Sequence, residues 1–404
     1  MNGEGVVQQS LRSSAWLVAL LMLTMMLGLL GTASFAALQP DFAVLWNLTN
    51  TESGWINGIF FAGYVAAVPA LVGSTDRVDP RSVYLLSLIV GGAAALGFAF
   101  LAQGFWTAMV FRTLAGIGVA GIYMPGLKLL TDRIDGRGQP RAVAIYTTGY
   151  SLSSALSLVA TTAIADLANW QTAFAAGGIG GAIGFVLIWR CVAPSPPKPG
   201  LARAALDFRP VIRNRAALAF ILAYGGHSFE LFAYRSWLVA YLVYIGLVDH
   251  DSAGLAVAGW VGAAIQLVGM ASSLWGAEIA ARADRRTIIG RIMLFSFVAA
   301  TATGFGSVLP LVAVVGLCLI HNLAIMGDSA ALTGGVVIAS AVEERGATLA
   351  LHTICGFTGG FLGPLATGIA LDIGGGATSY WAWGLAFMTM GLGSALARIA
   401  IARV

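Results

Sequence analysis

The chain has 404 residues, of which 58% are hydrophobic and only 10% are charged. Soluble domains carry charge on about a quarter of their residues, so this chain has too little charge to cover a globular surface. Its apolar surface is expected to face lipid, which excludes an ordinary soluble enzyme. The net charge of +4 does not indicate a nucleic-acid partner, because the basic residues follow membrane sidedness.

The first apolar run extends from Ala15 to Ala37, behind Arg12, and imitates a secretory signal peptide. It is longer than the apolar region of a typical signal peptide and has the length of a membrane-spanning helix. We therefore expect it to be a retained first span.

Uninterrupted apolar runs predict nine membrane spans, since crossing a bilayer takes about 20 apolar residues. Along the chain they cover approximately 15–37, 54–74, 83–102, 142–165, 170–189, 253–277, 292–308, 347–371 and 379–397. Three further apolar runs contain charged residues, near 106–130, 215–245 and 311–333. These are spans four, seven and ten in chain order, so the sequence predicts an all-α membrane protein with twelve transmembrane helices.

Loops that hold lysine or arginine alternate along the chain with loops that hold neither. The loops without them lie near 39–53, 103–105, 166–169, 246–252, 309–310 and 372–378. The positive-inside rule then places the chain in a bacterial inner membrane with both termini in the cytoplasm. A wrong number of spans would disturb this alternation, so the pattern supports twelve.

A proline-rich segment from Pro194 to Gly200 lies between spans six and seven and interrupts the helical pattern. We expect a six-helix bundle in residues 1–193, a cytoplasmic linker in 194–214 and a second six-helix bundle in 215–404.

The two halves also share a local motif. Arg77-Val78-Asp79-Pro80-Arg81 follows span two, and Arg282-Ala283-Asp284-Arg285-Arg286 follows span eight. Internal duplication of this kind is typical of secondary transporters, so we expect two pseudo-symmetric bundles.

Two motifs resemble those of the major facilitator superfamily. That family joins its second and third helices by a loop of the G-x-L-A-D-R-x-G-R type. Here Asp76-Arg77-Val78-Asp79-Pro80-Arg81 keeps the D-R pair and the final arginine, with Asp79 in place of the usual glycine. The family's R-x-x-x-G-x-G motif of the fourth helix is matched by the segment from Arg112 to Gly118. The chain resembles this superfamily over nearly its whole length, and more loosely its cyanate and nitroimidazole transporter group.

The resemblance implies two six-helix bundles that rock around a central site lined by helices one, four, seven and ten. It also implies that Asp76, Arg77 and Arg81 form a cytoplasmic gate. The charge count had already placed charges inside spans four, seven and ten. The G-P signature of the family's drug exporters is absent from span five, although Gly363-Pro364 occurs in span eleven.

Arg112 lies inside span four, where a central arginine costs about 2.5–3.5 kcal/mol and needs a partner or water. We interpret it as a contact for the substrate or for a protonatable group. The structural alternative is an arginine that snorkels to the surface or binds backbone carbonyl groups.

Span seven carries His227, Glu230 and Tyr234 on one helical face, within about 60° of each other. A carboxylate beside a histidine can take up and release a proton, so this cluster is a candidate proton or substrate site. The structural alternative is a hydrogen-bonded cluster that holds the span in place. Arg235 points about 140° away from Glu230 and is a candidate anion contact.

Span ten carries His321 and Asp328, seven residues apart on one face. Both are candidate proton or substrate residues, and Asp328 is also a candidate gate residue; alternatively, it lies near the cytoplasmic interface. His352 is interpreted as a packing residue, and Lys128 as a side chain that snorkels to lipid headgroups.

These features predict a carrier of a small polar or anionic solute, coupled to protons and acting as a monomer by alternating access. The sequence has no nucleotide-binding Gly-Lys-Ser/Thr loop and no His/Cys cluster with metal spacing. We therefore expect no metal, no cofactor and no enzymatic activity. Two alternatives stay open: an exporter of hydrophobic or drug-like compounds, and a membrane sensor or assembly factor that kept the carrier fold.

Overall fold

The computed structural model describes residues 3–134, 138–196, 207–246, 254–341 and 344–402. Within these ranges the chain forms α-helices and no β-strand. The helices are α1 (Gly3–Gly28), α2 (Ser34–Ala37), α3 (Gln39–Leu45), α4 (Asn50–Ser74), α5 (Pro80–Leu101), α6 (Phe105–Thr131), α7 (Gln139–Leu167), α8 (Trp170–Cys191), α9 (Arg209–Arg213), α10 (Arg215–Tyr244), α11 (Gly254–Arg282), α12 (Arg285–Phe305), α13 (Leu311–Gly327), α14 (Ser329–Ala339), α15 (Arg345–Ile373) and α16 (Tyr380–Ala402).

The helices confirm the predicted fold class. Eleven helical segments are long and apolar enough to cross a membrane, with α13 and α14 counted as one, and the shorter apolar part of α1 spans Ser14–Gly28. With twelve spans, α1 begins and α16 ends at the same membrane face, which we call the terminal face. The other face is called the opposite face.

Several spans begin with a polar side chain that accepts a hydrogen bond from an otherwise unpaired backbone N–H in the first turn of the helix. The Thr49 hydroxyl accepts from the backbone N–H of Glu52, and the Glu52 carboxylate accepts in turn from the Thr49 N–H. Asn214 accepts from the Ala217 N–H at 3.1 Å and begins α10. The predicted linker contains α9 and this cap, while its residues 197–206 lie outside the described residues. The linker boundaries therefore stay a prediction.

The first span is shorter than the predicted run from Ala15 to Ala37. Helix α1 ends at Gly28, the chain turns, and the short helices α2 and α3 follow. In the turn, the Thr32 hydroxyl donates to the Leu29 carbonyl at 2.8 Å. Such local bonds compete with helix formation, and counting apolar residues does not detect them.

Span ten also differs from its predicted range of about 311–333. It continues to Ala339 and is interrupted at Asp328, which separates α13 from α14. Asp328 is therefore followed by the further helix α14 and is buried, which favours a position inside the span over one at its end.

The two halves meet along α4 and α15 and along α7 and α11. The helices approach closely where glycine is present: a Cβ on Gly54 would lie 2.6 Å from the Pro364 carbonyl oxygen. Among the described residues, hydrogen bonds between the halves occur at the opposite face and as far inward as Ser154, near mid-span. The seam between the halves is therefore closed toward the opposite face.

Candidate functional site

A cavity of about 50 Å³ lies between the two halves of the molecule. Its lining comes from the end of the first span and from α4, α6, α7, α10 and α11. None of the lining residues is acidic and two of them, Arg112 and Arg235, are arginines. The cavity is therefore a positively charged site close to the middle of the membrane.

Arg112 reaches this cavity from α6 and is only 4% exposed. Its Nη1 donates to the Thr32 carbonyl at 3.1 Å, and its guanidinium lies 4.5 Å from the centre of the Phe60 ring. The turn after α1 supplies this acceptor, because Thr32 is not inside a helix. The Arg112 Nε has no hydrogen-bond partner within the described part of the chain. Arg112 is thus held by a backbone carbonyl, does not snorkel, and keeps one donor free.

Arg235 enters the same cavity from α10, in the other half of the chain. Its side chain makes no hydrogen bond or ion pair with any described residue, and its Nε is buried without a partner. Tyr150 lies within electrostatic range of both Arg235 and Arg112. Arg235 is half-buried, and a cation inside a span without a partner is costly, so Arg235 is set up to receive an anion or water.

The remaining lining is partly aromatic and partly polar. Phe61 from α4 and Phe232 from α10 have ring centroids 4.3 Å apart. On the polar side, the Ser154 hydroxyl donates to Gln266 Oε1 at 3.3 Å across the seam. The cavity therefore offers cationic, hydrogen-bonding and aromatic surfaces together.

Glu230 lies outside this cavity, inside the second half, and is fully buried. His321 Nε2 lies 2.9 Å from Glu230 Oε1, and Ser296 donates to the same oxygen at 2.8 Å. Ser394 donates to Glu230 Oε2. Three donors from three different helices thus hold this carboxylate.

A second histidine–carboxylate pair also joins spans seven and ten, but here the histidine is on span seven and the carboxylate is on span ten. His227 Nδ1 of α10 lies 2.6 Å from Asp328 Oδ1, at the interruption between α13 and α14. The contact is short but poorly aligned, so neither atom completes a hydrogen bond, and His227 Nε2 also lacks a described partner. This pair is as deeply buried as the first but much less satisfied.

Tyr234 and His352 are placed by packing. The Tyr234 hydroxyl donates to the Cys318 carbonyl at 2.8 Å, and the side chain is fully buried away from the cavity. The His352 ring stacks on the Tyr224 ring at 3.8 Å, and the His227 ring stacks on the same tyrosine at 5.5 Å. The Tyr224 ring therefore contacts both His227 and His352.

The predicted gate loop lies at the terminal face. Arg81 Nη2 donates to the Trp189 carbonyl at the end of α8, at 2.8 Å. Asp79, which replaces the family glycine, accepts from the Ser195 N–H at 2.8 Å and lies 3.7 Å from Arg133. These contacts tie the loop to its own half and to the start of the linker. Asp76 and Arg77 lie in the same loop, between α4 and α5.

Two carboxylates fasten the halves together at the opposite face. Asp372, one residue before the end of α15, accepts from the backbone N–H of Asn50 at 3.1 Å and of Thr51 at 2.8 Å, and from both of their side chains. Asp166, one residue before the end of α7, accepts from the Ala256 N–H in the first turn of α11 at 2.8 Å. Each half thereby caps a helix of the other half, and we call these contacts the Asp372 clasp and the Asp166 clasp.

The family model described as Major Facilitator Superfamily matches residues 20–364, which is most of the chain. The chain belongs to this superfamily.

Curated relatives in the superfamily are distant and match only part of their length. Protein spinster homolog 1 of Homo sapiens is 23% identical over 57% of this chain and 46% of its own. The niacin transporter NiaP of Acinetobacter baylyi is 25% identical over 39% of this chain and 36% of its own. A probable 4-methylmuconolactone transporter of Cupriavidus pinatubonensis is 31% identical over 35% of this chain and 34% of its own. The alignments thus span about half or less of these relatives.

Solved structures of transporters share the whole fold. A bacterial homolog of the human lysosomal transporter spinster, in an inward-facing and unoccupied conformation, has a TM-score of 0.81 and 16% identity over 96% of both chains. A mutant of the nucleoside transporter NupG has a TM-score of 0.73 and 14% identity over 96% of this chain and 99% of its own. At this identity the likeness establishes the fold alone.

Among the residues predicted from sequence, the structure brings Arg112 and Arg235 into one cavity. It places His227, Glu230, His321 and Asp328 together in a separate buried cluster. Sequence reasoning missed the two clasps. A detectable signal exists, because a carboxylate in the last turn of a helix is unfavourable to that helix and indicates a partner elsewhere.

Proposed function

We propose that this superfamily member is a secondary active carrier that moves a small organic anion across the membrane by alternating access, coupled to protons. The observation that carries the proposal is the pair Arg112 and Arg235, which line one cavity from opposite halves without an acidic residue in the lining. An anion that contacts both arginines would join the two halves at the middle of the membrane.

The surface of the cavity favours a small, partly apolar anion. Its volume of about 50 Å³ holds only a few water molecules, so an organic anion requires the cavity to widen as the two halves part. A carboxylate would meet the guanidinium groups in a bidentate manner, and its apolar part would meet Phe61 and Phe232. Among the relatives, NiaP is named for niacin, which is a small aromatic carboxylic acid. A purely hydrophobic solute would leave both arginines unpaired, so we do not favour the exporter alternative.

Alternating access is supported by where the halves touch. The clasps close the seam at the opposite face, while the described hydrogen bonds between the halves stop at mid-span toward the terminal face. Substrate would therefore enter this conformation from the terminal face. The distribution of lysine and arginine makes that face cytoplasmic in the proposed orientation.

For proton coupling, we assign the proton to the His227–Asp328 pair. Glu230 has three hydrogen-bond donors, which hold its carboxylate in place and give it a structural role beside His321. His227 and Asp328 lie 2.6 Å apart and His227 Nε2 has no described partner, so a proton can be exchanged at this pair without disturbing the hydrogen bonds that hold Glu230. Tyr224 lies within electrostatic range of both Asp328 and Arg235. It provides a short route by which a proton at Asp328 would change the anion affinity at Arg235.

The first experiment is a ligand-stabilisation screen on the purified protein, because a ligand that binds only the folded state raises its melting temperature. The panel pairs small carboxylates with their neutral amides, for example nicotinate with nicotinamide and benzoate with benzamide. We expect stabilisation by at least one carboxylate and not by its amide. Equal stabilisation within every pair, or stabilisation by neutral hydrophobic compounds alone, would refute the anion assignment.

A further inference from the structure

A second charged pocket lies at the terminal face, between the start of α12 and the end of α16. It has a volume of about 420 Å³ and is lined by three arginines, Arg286, Arg291 and Arg398. Asp284 is the one acidic residue in its lining. This pocket is separate from the central cavity and has no part in the transport scheme above.

The three arginines are available to a ligand. None of their guanidinium groups makes a hydrogen bond or an ion pair with a described residue. Asp284 is occupied as the cap of α12, where it accepts from the Thr287 N–H at 3.0 Å and from the Thr287 hydroxyl. These hydrogen bonds lower the pKa of Asp284, so it stays ionised and the pocket carries three positive charges against one negative charge.

The internal repeat provides a comparison within the same molecule. Arg81 and Arg286 occupy matching positions of the repeated loop, two residues after Asp79 and Asp284. Arg81 donates to the Trp189 carbonyl at the end of α8, so the first half satisfies its own arginine. Arg286 has no such acceptor among the described residues at the end of α16. The second half therefore leaves unpaired the kind of group that the first half pairs.

The surface next to the pocket faces lipid. Leu294 and Phe295, one turn along α12 from Arg291, are 45% and 54% exposed. Val298, a further turn along the same face of α12, is 54% exposed. Exposed apolar side chains on spanning helices contact acyl chains, which puts the arginines at the level of the lipid headgroups.

We propose that this pocket binds the phosphate-bearing headgroup of an anionic phospholipid, with its acyl chains along Leu294 and Val298. Guanidinium groups bind phosphate oxygens in a bidentate manner, and basic pockets between spans are suited to anionic headgroups. A soluble anion would use the same arginines but would gain nothing from the apolar surface beside them.

The test measures lipid binding by native mass spectrometry and thermal stability on delipidated protein in detergent. Phosphatidylglycerol, phosphatidylcholine and inorganic phosphate are titrated separately. We expect phosphatidylglycerol alone to bind and stabilise the parent protein. The double variant Arg291→Gln/Arg398→Gln should bind it about 30-fold more weakly, from the contribution of about one surface-level arginine each. The control Arg190→Gln/Arg345→Gln removes two arginines at the same face outside the pocket and should bind like the parent.

Several results would overturn the proposal. These are equal binding of the two lipids, equal loss in the control, or unchanged phosphatidylglycerol binding by Arg291→Gln/Arg398→Gln. Stabilisation by inorganic phosphate as strong as that by phosphatidylglycerol would assign a soluble-anion site instead. If the double variant cannot be purified, Arg398→Gln is measured alone, with an expected loss of about 5-fold; an unchanged affinity there overturns the proposal as well.

Discussion

Replacing Arg235 by methionine is the sharpest test of the anion site. Methionine keeps an apolar stem of similar length and removes the guanidinium. Because Arg235 has no hydrogen bond or ion pair with a described residue, the change leaves no protein group unpaired. A hydrogen bond to a charged group contributes about 1.5–3 kcal/mol, so affinity for a bound carboxylate should fall about 10-fold to 100-fold. The melting temperature without ligand should stay the same or rise, since an unpaired, half-buried charge has been removed.

Arg112→Met provides the contrast. That change removes the donor to the Thr32 carbonyl and the contact with Phe60, so it should also destabilise the protein by about 1–3 kcal/mol. Arg235→Lys keeps the charge without the planar fork and should lose only part of the affinity.

The assay for these variants is isothermal titration of the best carboxylate from the screen beside its neutral amide. If Arg235→Met binds that carboxylate as tightly as the parent does, the argument from the two arginines fails. A loss of equal size for the amide would assign Arg235 to packing.

Three further outcomes follow from the geometry. Asp328→Asn should keep counterflow in proteoliposomes and lose accumulation driven by a pH gradient. Glu230→Gln should keep that accumulation but lower the melting temperature. Full pH-driven accumulation by Asp328→Asn would contradict the assignment of the proton to Asp328. Asp372→Asn should lose two of its four hydrogen bonds, about 1 kcal/mol each, and raise the population open at the opposite face about 30-fold. Cysteine accessibility at that face measures this population, and Glu52→Gln, which alters a cap within one helix, should leave it unchanged. Asp76→Ala should slow transport more than it weakens binding, and an unchanged transport rate would remove Asp76 from the gate.

Much of the membrane architecture could be predicted because charge inside lipid is costly. Because of that cost, Arg112, Glu230, Arg235 and Asp328 could be recognised as candidate functional residues in an otherwise apolar sequence. The same cost keeps most charged residues in the loops, which allowed twelve spans to be counted. Helix geometry also predicted that Arg235 and Glu230 point in different directions. The structure places one in the cavity and the other in a closed cluster.

Contacts between spans could not be predicted. His227 and Glu230 share a face of α10, which made them look like one pair. Each instead meets a residue of span ten, Asp328 or His321, because the facing helix comes closer to each side chain than the neighbour on its own helix. Periodicity describes one helix at a time and contains no information on which helix faces it.

Interruptions of helices within apolar runs could not be predicted from the sequence either. The turn after Gly28 and the interruption at Asp328 both lie within sequence apolar enough to continue a helix. They arise where local side-chain hydrogen bonds or tertiary partners replace the bonds of the helix. The first of these breaks frees the carbonyl that holds Arg112.

The two clasps differ in strength, and this difference has a consequence for the way in which the seam parts. Asp372 accepts four hydrogen bonds, while Asp166 accepts one from the described residues. Several of the donors are backbone amides, so substitution of their own residues does not remove them. The two halves should therefore separate first between α7 and α11, while α4 and α15 stay in contact and act as the hinge. The first aperture would be a lateral slit that leads toward Gln266 and Ser154, wide enough for water before it is wide enough for an organic anion.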